Sequence, residues 1–176
     1  MRQPEYTGDD ALRGYLGVIG LFNAVVVAFV WLSGLVRRPI PQRVPLQDVL
    51  LIGVATHKLS RLVAKAEVTA PLRSPFTEFE EKGGPAEVEE RPEGTGLRRA
   101  IGKLLTCPYC LDVWVAALFH FSLVLRPAPA RLAGGILASV AVADFLQAAY
   151  VKATAPAKQD QTQDPARLFV GDEAAG

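Results

Sequence analysis

Apolar and polar positions are segregated into long blocks along this chain rather than mixed at short period. Tyr15 to Val36 is an apolar run of 22 residues, enough to cross a hydrocarbon core of ~30 Å at ~1.5 Å per residue. Tyr15 and Trp31 suit the two interfaces, Arg37-Arg38 stops the run, and together they predict a transmembrane helix over 15–36. The turn RPIPQRVP, stiffened by Pro39, Pro41 and Pro45, cannot hold a helix. A second helix is predicted over 46–65. Its first half, Val49 to Ala55, is apolar, and its second half carries Thr56, His57, Lys58, Ser60 and Arg61. His57 and Arg61 share a face at i, i+4, while Leu59, Leu62 and Val63 cover another. The apolar half favours a spanning helix over one lying in the headgroups.

Two further apolar helices are predicted at 108–125 and 132–151. Pro108 sits at the first helical position of the former, where its missing N–H costs nothing, and Trp114 lies near its start as an interface aromatic. Arg126-Pro127, with Pro129 beyond, ends that helix. In the last helix Gly135 and Ser139 form a small-xxx-small pair suited to close helix contact. Between the helices, 66–106 is the one sizeable polar loop. Val68 to Phe76 is too proline-rich for helix, and FTEFE and AEVEE flank Lys82-Gly83-Gly84-Pro85 as the arms of a β-hairpin. LRRAIGKLL then reads as a short amphipathic helix, on the membrane surface or packed on the hairpin. Residues 1–14 form a polar N-terminus and 154–176 a disordered tail without periodicity. The fold expected is an all-α membrane protein of about four transmembrane or membrane-embedded helices with a small cytoplasmic hairpin loop.

Composition supports this reading and narrows the function. Half of the 176 residues are apolar, about a fifth are charged, and the formal net charge is +1. No basic field argues for nucleic acid. The first apolar run is too long for a signal-peptide core and lacks a small-x-small exit. With the N-terminus inside, fourteen Lys and Arg fall on inner segments and five (Arg37, Arg38, Arg43, Arg126, Arg131) on outer turns. That asymmetry predicts a multi-pass protein of the cell (inner) membrane with both termini cytoplasmic. The order of charges around the first helix alone points the other way, since Arg37-Arg38 follows it directly.

Two clusters are candidates for chemistry. Cys107-Pro108-Tyr109-Cys110 opens a helix, an arrangement whose helix N-terminus favours a thiolate. It lacks the βαβ context of a thioredoxin-like motif. As metal ligands the pair supplies half of a tetrahedral site, and the remainder has to come from His57 or another chain, since His120 lies further into the membrane. Simple packing of two reduced thiols is the plainest alternative. Asp144 sits in an apolar run, where an unpaired carboxylate costs on the order of 2.5–3.5 kcal/mol. Its expected partner is Arg61, with His57 and Gln147 alongside, as a helix-to-helix tie or an ion or proton pathway. Asp112, in a first turn, complements the helix dipole.

The residues Ala55-Thr56-His57-Lys58-Leu59-Ser60-Arg61-Leu62, Arg73, Pro75-Phe76, Gly83-Gly84-Pro85, Gly96-Leu97-Arg98-Arg99 and Leu105-Thr106-Cys107-Pro108-Tyr109-Cys110 with Trp114 add a further element. Over roughly 46–153 they resemble an uncharacterised bacterial integral-membrane family, a domain of unknown function with a sporulation-associated member. The resemblance implies a membrane protein whose signature comprises His57, Arg61, Arg73, Phe76, Cys107, Cys110 and Trp114, and it supplies no activity. No phosphate loop, serine nucleophile constellation or nucleotide fingerprint is present, so the balance is against an enzyme. The function expected is an interaction, scaffold or assembly role through the cytoplasmic loop, with lipid, a protein partner or a second copy as neighbours and no cofactor. The alternatives are redox or metal handling at Cys107 and Cys110, and an ion or proton pathway through Asp144 and Arg61.

Overall fold

The computed structural model describes residues 9–37 and 39–154, so the tail expected at 154–176, apart from Thr154, and most of the polar N-terminus lie outside the described residues. The described chain is mostly helical: α1 (Asp9–Leu35), α2 (Leu46–Lys65), α3 (Ala70–Arg73), strands β1 (Thr77–Lys82) and β2 (Val88–Pro92), α4 (Gly96–Thr106), α5 (Pro108–Leu125) and α6 (Pro127–Thr154). It divides into two compact units, one ending at Ala141 and one starting at Val142. In the second, the helix continues from Val142 to Thr154 with its residues exposed, Asp144, Phe145, Leu146 and Gln147 among them.

Among the described residues three helices, α1, α5 and α6, are long and apolar enough to cross a membrane. Their side chains are largely exposed, as a lipid-facing surface requires, Leu16, Val27, Trp31, Val113, Leu118 and Ile136 among them. The expected fourth span, α2, is not one of them, because His57, Lys58, Arg61 and Lys65 break its apolar character.

Within the first unit α1 and α5 run in the same direction, joined by Phe22 edge-on to Trp114 at 5.1 Å and Phe29 stacked on Phe121 at 4.0 Å between ring centres. Trp114 is therefore a packing residue as well as an aromatic near the helix start. α2 packs along α5 through a small core of Ile52, Ala55, Val115 and Phe119. Helix contact with α6 uses Gly134, whose added Cβ would stand 3.5 Å from Leu51; Gly135 faces open space. The expected Gly135/Ser139 pair is thus not the contact used inside this unit.

Several boundaries move from their expected places. α1 begins at Asp9, ahead of the apolar run, because its first turns pack on α4. α6 begins at Pro127 rather than 132: Pro127 and Pro129 fall in its first turn, where a proline lacks no bond the helix needs. Pro71 likewise starts α3, after a 3-10 turn at Glu67–Thr69, so the proline-rich stretch is helical in short pieces.

The polar loop is a folded piece. β1 and β2 form the expected antiparallel hairpin, with Thr77 opposite Pro92 and Lys82 opposite Val88 and an irregularity between Phe79 and Glu81. α4 is wedged between α1 and this hairpin, so LRRAIGKLL is packed on the hairpin. On one side a Cβ at Gly14 would lie 2.5 Å from Gly96 O. On the other a Cβ at Gly102 would lie 2.5 Å from Phe76 O and 3.2 Å from Pro92.

Candidate functional site

The first unit has two ends. At one, the proline turn meets the starts of α2 and α6; at the other, the hairpin, α4 and the start of α5 gather around the end of α2. The hairpin end holds most of the sequence-predicted site residues.

α2 ends with carbonyls that have no helical partner, and Arg73 answers them from the end of α3. Its side chain is fully buried. Nη1 donates to Val63 O (2.6 Å) and Thr69 Oγ1 (2.7 Å), and Nη2 to Ala66 O (3.1 Å). The other edge grips Glu90 of β2, Nε to Oε2 at 2.8 Å and Nη2 to Oε1 at 3.1 Å. All five guanidinium N–H groups are thereby used. Thr69 Oγ1 donates in turn to Leu62 O (2.6 Å), and Thr77 Oγ1 to Glu90 Oε2 (2.8 Å). One arginine ties α2, α3 and both strands together, and its positive charge meets the negative end of the α2 dipole. Phe76 stands at the hairpin root, half-buried, its carbonyl accepting from Glu93 N (2.9 Å).

Two more ion pairs fix the hairpin on α2. Arg61 is held by Glu87, Nε to Oε1 at 2.7 Å and Nη2 to Oε2 at 2.8 Å, and Lys65 is held by Glu89. For Arg61, which the sequence leads one to pair with Asp144, the carboxylate found at Nε and Nη2 comes from the hairpin, which lies along the polar half of α2. Asp144 and Gln147 belong to the second unit. His57 is exposed, while Thr56 and Ser60 one helical face away are buried. At the rim Arg91 pairs with Glu78 at 2.8 Å, a carboxylate that raises the pKa of the guanidinium from its usual value. Both are well exposed, so the pair adds little stability.

Cys107 caps α5. Its Sγ accepts from Cys110 N (3.3 Å) and lies 2.7 Å from Cys110 Sγ. Cys107 is half-buried and Cys110 exposed. They border a groove of about 470 Å³ shared with Tyr15, Lys103 and Thr106, in which Lys103 Nζ donates to Tyr15 OH (3.1 Å). Among the described residues no three His, Cys, Asp or Glu side chains gather as metal ligands, so His57 is not brought to the cysteines. The geometry holds two thiols side by side at a helix start, able to share a proton or exchange with another thiol.

Residues 51–150 match the family model described as Protein of unknown function (DUF1360), more than half of the chain. The chain belongs to this family. The matched DUF1360 segment contains Arg73, Glu90, Arg61, Glu87, both cysteines and Trp114. A relative is the Sporulation protein YjcA of Bacillus subtilis (strain 168), 33% identical over 102 residues, which cover 56% of this chain and 86% of the relative. No solved structure matches this DUF1360 chain.

Sequence reading passed over one centre altogether. At the turn end Asp48 of α2 is buried and ion-paired with Arg131 of α6. The signal was there, an acid in the first turn of an apolar helix, but Arg131 entered only as a charge to be counted.

Proposed function

We propose that this DUF1360 protein is a multi-pass protein of the cell membrane that works as a scaffold or assembly factor, offering its hairpin to a protein partner in the cytoplasm. The observation that carries this reading is the Arg73 hub. A loop that only linked two helices would need no fully buried guanidinium with every N–H bonded. The hub makes the hairpin a rigid platform, and rigidity lowers the entropy cost of binding. The platform leaves Phe79 61% exposed between Glu78 and Glu80, an apolar anchor inside a charged rim. Fourteen inner against five outer basic residues support the cytoplasmic placement of this face and both termini. In this reading α1, α5 and α6 span, and α2 makes a fourth crossing beside them, its apolar half embedded and its polar half at the inner face, so that both termini stay inside. The name of the Bacillus subtilis relative supports sporulation as the setting.

A photo-crosslinking residue at position 79 tests the reading in living cells. The expected result is a discrete protein adduct that disappears in the Arg73→Gln variant while the chain stays in the membrane fraction. Adducts to lipid alone, or a protein adduct indifferent to Arg73, would overturn it.

A second reading is favoured by the sulfur geometry. Two thiols 2.7 Å apart, one exposed, at a helix start beside an open groove, suit dithiol–disulfide exchange with a partner's thiols.

A further inference from the structure

The turn end of the first unit carries a polar centre that neither reading uses. Asp48 is 4% exposed, and Arg131 meets it with two hydrogen bonds, Nε to Oδ1 at 2.9 Å and Nη2 to Oδ2 at 2.8 Å. The arginine side chain is itself 49% exposed. Its Nη1 has no partner among the described residues. His120 stands beside them, its Nδ1 donating to Ala116 O (2.8 Å). These three groups form the polar wall of a cavity of about 360 Å³. The rest of the wall is apolar, with Phe29, Ile40, Val44, Phe121 and Val124 contributed by α1, the proline turn and α5.

A buried carboxylate with one arginine edge already satisfies the charge balance of the pair, so the ion pair alone does not explain an open cavity next to it. Its volume falls in the range of small-molecule sites, roughly 300–1,000 Å³, which are mostly apolar with a few placed polar groups. The surroundings select the ligand class. Arg37, Arg43 and Arg126 are exposed on the same turns, Arg43 adjacent in the chain to the lining Val44, and Asp48 is the one acid in 36–48 and 124–133. The end is therefore basic outside and apolar inside, which complements a molecule with an anionic head and a hydrocarbon tail.

We propose that this cavity holds one acyl chain of an anionic phospholipid, with the lipid phosphate at the free edge of Arg131. Asp48 acts as a positioning residue: by occupying Nε and Nη2 it fixes the guanidinium plane and leaves Nη1 for the phosphate. This rests on the membrane reading given above.

The test uses the full chain in vesicles of phosphatidylcholine with a rising fraction of phosphatidylglycerol, followed by detergent extraction and native mass spectrometry of co-purifying lipid. Phosphatidylglycerol should be retained over phosphatidylcholine, and Arg131→Gln should lower that preference about fivefold, the effect of one basic residue near an anionic surface. Val44→Trp, a change in an exposed turn that fills the cavity, should abolish retention with no change in thermal unfolding. Equal retention of the two lipids, indifference to both variants, or displacement of the lipid by inorganic phosphate would overturn the proposal. Alkaline extraction of the same vesicles separates the two readings. A chain that washes off refutes membrane insertion, whereas one that stays without headgroup preference refutes the lipid site alone.

Discussion

Arg73 shows why a buried charge in this protein is stable only as part of a complete set. A fully desolvated guanidinium costs several kcal/mol unless its partners are all in place, and here a carboxylate, a hydroxyl and two helix-end carbonyls occupy every N–H. Removing it strands Glu90, only 7% exposed, and reopens the end of α2. Arg73→Gln should therefore destabilise the hairpin junction by about 3–5 kcal/mol, seen as trypsin cleavage at Lys82 in membranes where the parent chain resists. Arg73→Lys should fall between, because an ammonium keeps the charge but not the two-edged geometry. A hairpin equally resistant in both variants would refute the hub. No spacing or periodicity marks Arg73 in the sequence; only family resemblance did. The Arg61–Glu87 pair is hidden in the sequence for a related reason. Asp144 invites a counter-ion because it stands in an apolar run, while the eight glutamates between 67 and 93 read as solvated surface. Folding back of the strands, which a linear pattern does not show, brings Glu87 to the arginine.

At the scale of elements, glycine placement determines how closely α1 and α4 approach. Gly14 abuts the Gly96 carbonyl, whereas Gly20 in the same helix has nothing within 4 Å of its would-be Cβ. The two positions make opposite predictions for the same substitution. Gly14→Ala should lower thermal stability in detergent, at a cost of about 1–3 kcal/mol typical of overpacking. Gly20→Ala should be neutral or stabilising by up to about 1 kcal/mol, since alanine is the better helix former. Equal effects would mean that α1 does not seat on α4. Apolar block length identified α1, α5 and α6 because a membrane-crossing helix has few other requirements. It does not single out α2, whose polar half serves the hairpin, and it places two helix starts later than Asp9 and Pro127. There, tertiary packing on α4 and tolerance of proline in a first turn extend helices past the hydrophobic pattern.

For the whole molecule the question is which side of the membrane the hairpin end faces, and the cysteines at that end allow it to be read directly. Cys110 is exposed at the start of α5, at the hairpin end of the first unit, and Gln42 is exposed in the proline turn at the opposite end. Basic residues resist translocation, so the fourteen-to-five distribution places Cys110 inside and position 42 outside. An impermeant maleimide added to intact cells should leave the parent chain unlabelled and should label Gln42→Cys carried on a Cys107→Ser, Cys110→Ser background. Permeabilisation should then expose Cys110. If the pair cycles between dithiol and disulfide, that second labelling rises when a reductant is added first, and if the thiols only pack it does not change. Labelling of Cys110 from outside would invert the protein. The short-range signal of Arg37-Arg38 after α1 would then have outweighed the total charge, and the platform would face an extracellular partner.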